Sequence, residues 1–364
     1  MITGPGDVAF QLYTSGTTGL PKGVMLSNDN LFGGVVQVID QWRFTEDSVN
    51  LAVMPMFHIA GAGWATVGLY FGCTNVVMRD VDPAVILKVI PRQGITNACL
   101  VPAVIQFLLM TPGVDETDFS TLRAIVYGAS PISDEALVHA MERFGCEFIQ
   151  VYGMTETTGA ITRLEAVDHD PKNRPKLLRS CGNPYPWVDV RIVDGNGEDV
   201  PTGTVGELWT RSRQIMLGYW NKPDATTATV TPDGWLKTGD AGYVDDKGYI
   251  FLFDRVKDMI VTGGENVYPA EIENVLIEHP GIGDVAVIGV PDPKWGEAVK
   301  AIVVPAGTEP TESDVIAFAR ERLAGYKLPK SVDFATSLPR NPSGKLLKRA
   351  LREPYWKGVE RRVR

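Results

Sequence analysis

The run Tyr13-Thr14-Ser15-Gly16-Thr17-Thr18-Gly19-Leu20-Pro21-Lys22-Gly23 gathers hydroxyl side chains, glycines and one lysine in eleven consecutive positions. Small residues of this kind let backbone N–H and side-chain O–H groups converge on a polyphosphate, and a lysine adds compact positive charge. The run follows a strand-like stretch at residues 9–13 and leads toward a helical pattern that starts near Asn28. It is not the Walker pattern, because Lys22 follows Pro21 and is itself followed by Gly23 where Ser or Thr would be required. A G-x-G-x-x-G dinucleotide fingerprint is also absent. The plain alternative is a Gly/Ser/Thr-rich surface loop, which the length of the run disfavours.

Further along, Tyr152-Gly153-Met154-Thr155-Glu156-Thr157 ends a strand-like stretch. An aromatic face there can stack on a base where glycine lets the backbone approach, Thr155 can bond a phosphate, and Glu156 offers oxygens to a hard cation. A carboxylate at a helix N-terminus is the competing reading of Glu156. Asp240, after Thr238-Gly239, is placed in a turn between β segments, where it can accept from a pair of ribose hydroxyls or simply form the turn. Gly128-Ala129-Ser130-Pro131 would suit a wall against a flat ligand, or a turn. His58, in Phe57-His58-Ile59-Ala60-Gly61, stands in an uncharged stretch; a lone histidine there is more often a satisfied core residue than a base. Lys345 follows Pro342-Ser343-Gly344 near the chain's end, so a flexible turn can carry its charge to a site formed elsewhere.

The Gly/Ser/Thr run, Tyr152–Thr157, Thr238-Gly239-Asp240, Asp254-Arg255-Val256-Lys257-Asp258, Gly263-Gly264-Glu265-Asn266 and Pro342-Ser343-Gly344-Lys345 make six motifs in one order. Together they resemble the adenylate-forming superfamily, which includes acyl-CoA synthetases, the adenylation domains of peptide synthetases and firefly luciferase. The resemblance covers essentially the whole chain. It implies an ATP-dependent acyl-CoA ligase of the fatty-acid branch, which makes acyl-AMP and pyrophosphate from a carboxylic acid and then transfers the acyl group to coenzyme A. It further implies Thr14, Ser15, Gly16, Thr17, Thr18, Gly19 and Lys22 as the phosphate loop, Tyr152, Gly153 and Met154 against adenine, and Thr155 on the α-phosphate. Glu156 would hold Mg²⁺, and Asp240 would bind the ribose with help from Arg255. Gly128, Ala129 and Ser130 would border adenine and acyl group, His58 would position or gate the carboxylate cavity with Trp64 packed close by, and Lys345 would be the adenylation lysine. Lys257 falls at the hinge, and the loop at Gly263 and Gly264 would admit the pantetheine arm. Two alternatives stay open: an acyl-AMP ligase that loads a carrier protein, and an incomplete or inactive fragment.

The elements that must position these residues are legible in outline. The 364 residues carry 35 Lys+Arg against 44 Asp+Glu, net −9, which argues against a nucleic-acid binder resting on overall charge. Four scattered cysteines and four histidines indicate neither a disulfide framework nor a zinc site, and fit a reducing cytoplasm. Strand and helix patterns alternate to about residue 152, which predicts a mostly parallel, doubly wound α/β sheet. Residues 187–253 read as a β-rich subdomain, and the rest as a small α+β domain, which the resemblance implies is mobile. The domains expected are 1–257, N-terminally incomplete, 258–348, and a basic tail at 349–364. Residues 345–364 hold eight basic and two acidic side chains and read as a solvated helix, with contact to CoA phosphates or an anionic membrane surface as alternatives. The uncharged stretch 51–78 is long enough to span a bilayer, but Pro55, His58 and its glycines divide it into a buried α/β unit. Because relatives usually carry a further domain's length ahead of the Gly-rich loop, a missing first part is expected, with strand 9–13 left at an uncovered edge and weak activity in the isolated chain.

Overall fold

The computed structural model describes residues 3–14, 21–35, 42–130, 132–340 and 346–357. The chain divides into two compact units, residues 1–238 with 243–251, and residues 239–242 with 252–364.

In the first unit β1 (Val8–Thr14) and β2 (Lys22–Ser27) pair as an antiparallel hairpin with Thr14 opposite Lys22, and α1 (Asn28–Val35) follows β2 directly. The helix expected near Asn28 is present, but the strand β2, which the sequence reading did not separate, stands between it and the Gly/Ser/Thr run. Val24 and Leu26, two residues apart and fully buried, give this segment the period of a strand. β1 lies at the edge of its sheet, with Val8 and Tyr13 exposed.

Strand and helix then alternate through β3 (Val49–Ala52), α2 (Ile59–Tyr70), β4 (Thr74–Val77), α3 (Pro83–Gln93), β5 (Asn97–Leu100), α4 (Pro102–Met110), β6 (Ala124–Gly128), α5 (Asp134–Phe144) and β7 (Glu147–Met154). These five strands pair in parallel in the order β4-β3-β5-β6-β7. β8 (Gly159–Leu164) and β9 (Asn183–Pro184) extend the sheet antiparallel beyond β7. The uncharged stretch is thus β3, α2 and β4, and among the described residues no helix is long and apolar enough to cross a membrane.

Successive residues of a strand face opposite ways, so the sheet carries a core on each side. Ile125 and Tyr127 of β6 pack with Ile86, Ile90, Ile105, Leu108 and Leu137 of α3, α4 and α5, whereas Ala124 and Val126 pack with Phe44, Trp64 and Val67. Caps fix where the helices begin and end: Asp82 accepts from the N–H groups of Ala84 and Val85 at α3, and Gly94 closes it at φ 63°.

The β-rich part comprises β10 (Asp189–Val193), β11 (Gly206–Arg211), β12 (Gly218–Tyr219), α6 (Pro223–Thr229), β13 (Leu236–Val244) and β14 (Ile250–Arg255). β12 pairs with β2, and the sheet order of the others is β10-β11-β13-β14.

The second unit contains β15 (Ile260–Thr262), β16 (Glu265–Val267), α7 (Pro269–Leu276), β17 (Ile282–Asp292), β18 (Gly296–Pro305), α8 (Glu312–Arg320), β19 (Ser331–Phe334) and α9 (Lys348–Arg352). Its sheet runs β16-β15-β18-β17, with β19 parallel to β18. Val285 and Val287 of β17 pack with Ile272 and Leu276 of α7 and Val315 of α8, while Ala286 and Ile288 pack with Leu351 and Tyr355. For Lys348, Arg352 and Trp356 the reading of a solvated basic tail is corrected accordingly. The side chains of Lys348 and Arg352 are only 10% and 12% exposed, and Trp356 Nε1 donates to the Gly289 carbonyl at 2.9 Å.

Candidate active site

Near the end of β7, position 153 has room only for glycine: a Cβ there would lie 1.8 Å from the Gly159 carbonyl oxygen on neighbouring β8. Gly153→Ala is expected to cost about 1–3 kcal/mol through overpacking, since the clash is with backbone rather than a movable side chain, and a urea titration checks it. Beyond Met154 the chain makes a 3₁₀ turn, Thr155–Thr157, in which all three residues are buried. Thr157 Oγ1 accepts from the Met154 N–H at 2.9 Å and donates to the Gly159 carbonyl at 2.7 Å, so this hydroxyl holds the turn. Thr155 forms no side-chain hydrogen bond among the described residues. The turn therefore uses one hydroxyl for itself and leaves the other uncommitted among the described residues.

Glu156 sits in this turn, 6% exposed, and Tyr219 donates its hydroxyl to Glu156 Oε1 at 2.9 Å. The ammonium of Lys22 lies over the ring of the same tyrosine, 4.7 Å from its centroid. Tyr219 thereby links the lysine of the Gly/Ser/Thr run to the carboxylate of the second motif, a cation–π contact on its face and a hydrogen bond at its tip. Residues 213–219 are led there by a chain of polar contacts. Asn30 Nδ2 donates to the carbonyls of Arg213 and Ile215, Thr158 Oγ1 donates to the Gln214 carbonyl, and Met216 N–H donates to the Glu156 carbonyl. Gln214 is locked in turn by Trp187 Nε1, which donates to its Oε1 at 2.7 Å. None of Tyr219, Gln214, Asn30 or Trp187 stood out in the sequence. Glu156 Oε2 forms no hydrogen bond among the described residues, and no group of three or more His, Cys, Asp or Glu converges among them. A single buried carboxylate with one oxygen to spare fits Mg²⁺ held chiefly by nucleotide phosphates and water, and does not fit an all-protein cage.

Elsewhere in the first unit, Gly128 is buried at the end of β6, where a Cβ would lie 2.1 Å from the Val151 carbonyl oxygen. Ala129 follows at φ 70°, a left-handed conformation unusual for a residue with a side chain, and it and Ser130 are exposed. Tyr152 is half-buried in β7 opposite Thr162. Trp64 is buried against Trp42 and Phe44. His58 caps α2, its Nδ1 accepting from the Ala60 N–H at 3.1 Å, so the neutral ring carries its proton on Nε2. A second histidine, His169, is buried with Nδ1–H donating to the Glu165 carbonyl and Nε2 accepting from the Tyr127 hydroxyl at 3.0 Å. Burial pushes both imidazoles below their ordinary range. The unfolded chain therefore binds more protons than the folded one below about pH 6.5, and the stability these groups lend is present above that pH and lost as it falls. The urea midpoint is expected to drop between about pH 7 and about pH 5.5. Replacing His169 with Gln should flatten that decline.

In the second unit, Asp240 lies within β13 rather than in a turn, which corrects the sequence reading; Gly239 at φ 70° is the irregularity that resembled one. Asp240 is buried, and Arg255 Nε pairs with its Oδ1 at 2.8 Å. Lys257 belongs to the 3₁₀ turn Val256–Asp258 after β14, inside this unit. Gly263 and Gly264 form the β15–β16 turn at φ 61° and 88°, and a Cβ on Gly263 would lie 2.8 Å from the half-exposed Trp295 ring. Ser15, Gly16, Thr17, Thr18, Gly19, Pro131 and Lys345 lie outside the described residues.

Residues 2–220 match the AMP-binding enzyme family, and residues 271–345 match the AMP-binding enzyme C-terminal domain. The chain belongs to this adenylate-forming family. Among its relatives, the fatty acid–[acyl-carrier-protein] ligase ScoC of Streptomyces coeruleorubidus is 46% identical across 99% of this chain and 70% of its own length. A feruloyl-CoA synthase of an Amycolatopsis species is 40% identical across 97% and 71%. Of solved structures, ATP-bound MatB from Rhodopseudomonas palustris superposes with a TM-score of 0.88 at 36% identity, covering 97% of this chain and 69% of that one. This AMP-binding enzyme is a ligase that activates carboxylic acids.

Proposed function

We propose that this AMP-binding enzyme converts a fatty acid, ATP and coenzyme A to acyl-CoA, AMP and pyrophosphate in two steps. A carboxylate oxygen attacks the α-phosphorus and pyrophosphate leaves; the CoA sulfur then attacks the acyl carbonyl, loses its proton, and AMP leaves. The observation that carries this reading is the Lys22–Tyr219–Glu156 linkage, which sets a cation from the phosphate-loop run and a carboxylate from the second motif on one side chain.

In this reading the loop Thr14–Lys22 receives the β- and γ-phosphates, Thr155 bonds the α-phosphate, and Tyr152 to Met154 line adenine with Gly128 to Ser130. Asp240, held by Arg255, accepts from the ribose hydroxyls; its burial beside a guanidinium keeps a fixed acceptor there. Glu156 would hold Mg²⁺, which when bound screens the phosphate charge. His58 orients the mouth of the carboxylate cavity from the start of α2 and, being neutral at pH 7, adds no charge to it. Lys345 supplies the charge for adenylation, Lys257 marks the hinge, and the Gly263–Gly264 turn gives the pantetheine arm close passage to the backbone. Four free cysteines support a cytoplasmic setting.

Transfer to a carrier-protein thiol is the second reading, favoured by the 46% identity to ScoC. Carboxylate-dependent ATP–pyrophosphate exchange by the purified chain tests the first step, and thioester formation with free CoA against a carrier protein tests the second. Exchange with a CoA thioester is expected. Exchange with product only on the carrier would replace CoA as acceptor, and no exchange with any acid would favour the fragment reading.

A further inference from the structure

The turn that carries Thr155 and Glu156 closes on a residue whose side chain resists the conformation it is in. Thr158 has φ 55° and ψ 34°, in the left-handed region. Among the described residues the other non-glycine positions with positive φ are Arg43, Ala129 and Asn221, so Thr158 is the β-branched one. A branched Cβ crowds the neighbouring backbone there, and glycine or asparagine would fit the position more easily.

The local path requires the reversal. Thr158 N–H donates to the Thr155 carbonyl at 3.0 Å and closes the 3₁₀ turn, and β8 then returns antiparallel beside β7 with Met154 opposite Gly159. A right-handed residue at 158 would continue the helical turn and carry the chain away from that pairing. Threonine is held in the left-handed form by its own hydroxyl, since Oγ1 donates to the Gln214 carbonyl at 2.6 Å. Gln214 is buried and fixed on both sides, Oε1 accepting from Trp187 Nε1 at 2.7 Å and Nε2 donating to the Ala160 carbonyl at 3.1 Å. Met216 N–H donates to the Glu156 carbonyl at 2.9 Å. Residues 214–216 thus hold the connection at 156, 158 and 160.

Residues in sparsely populated backbone regions persist only where their surroundings over-determine them, and they gather where one placement matters. Glycine would supply the same φ without the crowding, but it would leave the end of the turn with no side-chain anchor and with more conformations to visit. Resting on the reading that Thr155 and Glu156 serve the nucleotide phosphates and Mg²⁺, we propose that Thr158 is a positioning residue. Its hydroxyl, locked onto the Gln214 carbonyl, holds a strained turn end so that the Thr155 hydroxyl and the Glu156 carboxylate keep one aim before the nucleotide arrives.

Three variants test this by ATP binding in a calorimeter at varied Mg²⁺, single-turnover acyl-AMP formation and urea titration. Thr158→Gly is expected to keep the urea midpoint of wild type, because relief of the crowding offsets the lost hydrogen bond. It should nonetheless need about threefold or more Mg²⁺ for half-maximal ATP binding and form acyl-AMP about 10-fold or more slowly. Thr158→Val keeps the branch and loses the donor, so the same functional losses should come with a lower midpoint. Thr158→Ser keeps the hydroxyl and should recover the wild-type values to within about twofold. In a Glu156→Gln background the effect of Thr158→Gly on the Mg²⁺ requirement should fall below about twofold. Wild-type binding and rate in Thr158→Gly, or losses that simply follow the urea midpoints of the three variants, would show that Thr158 only closes the β7–β8 connection and would overturn the proposal. An unchanged Mg²⁺ requirement in Glu156→Gln alone, or no ATP binding by the wild-type chain, would overturn the site reading beneath it and the positioning role with it.

Discussion

Replacing Lys345 with alanine is expected to slow acyl-adenylate formation by about 10²- to 10³-fold, while thioester formation from a supplied acyl-adenylate changes by less than about threefold. The reason is electrostatic. A carboxylate must approach an α-phosphate that is itself anionic, and negative charge builds on the phosphoryl oxygens as the bond forms. A unit charge about 4 Å away, at an effective dielectric constant near 20, is worth about 4 kcal/mol, or roughly 10³ in rate. Loss of a compact ammonium should therefore appear in the rate constant of the first half-reaction, with little change in the concentration of ATP needed. Arginine is a poor substitute, because its planar fork spreads charge over a wider front than a point cation bridging two oxygens. Rapid-quench measurement of acyl-AMP, beside a thiol-transfer assay started from synthetic acyl-adenylate, separates the two steps. Equal damage to both would show that Lys345 is needed for something other than adenylation.

How much of this site could be seen beforehand depended on the range of the forces involved. α3 and α5 follow from local signals alone: Asp82 with Pro83 at one start and Ser133 at the other, then Gly94 and Gly145 in the left-handed conformation at the ends. Alternation of strand and helix was enough for the parallel sheet. β2 escaped because Gly23-Val24-Met25-Leu26 is a short apolar run that periodicity cannot assign, and Asn28 behind it looked like the true start of structure. Asp240 was misplaced for the opposite reason: Gly239 signals a turn, yet pairing on both flanks keeps it within β13. Tyr219 was invisible because its role depends on Asn30, Thr158 and Met216 bringing distant segments together. No local pattern separates Gly218-Tyr219 from any half-buried strand end. The tail misled because charge runs are usually solvated, whereas Lys348 and Arg352 find Asp254, Glu273 and Asp258 some ninety to seventy-five residues upstream. Charge pairing across such separations is a property of the fold and not of composition.

The same distinction governs the second large effect expected, that of Glu156→Gln. The amide is the same shape as the carboxylate and its oxygen can still accept from Tyr219, so the hydrogen bond at 2.9 Å need not be lost. What disappears is the negative charge on a side chain that is 6% exposed. A buried carboxylate supported by one hydroxyl is expensive to keep unless something binds it, so the variant should be no less stable than wild type in a urea titration. Acyl-AMP formation, by contrast, is expected to fall about 10²-fold, and the Mg²⁺ concentration giving half the maximal rate should rise about 10-fold. Tyr219→Phe provides the opposite control. It keeps the charge of Glu156 and the apolar ring beneath Lys22 but removes the hydroxyl, leaving one carboxylate oxygen without its donor. Its expected cost is in stability, about 1–3 kcal/mol, with a smaller loss of rate than Glu156→Gln. A fall in stability with unchanged Mg²⁺ dependence in Glu156→Gln would mean that the carboxylate serves only to hold Tyr219. A stable variant with a raised Mg²⁺ requirement would mean that the tyrosine holds the carboxylate for the nucleotide.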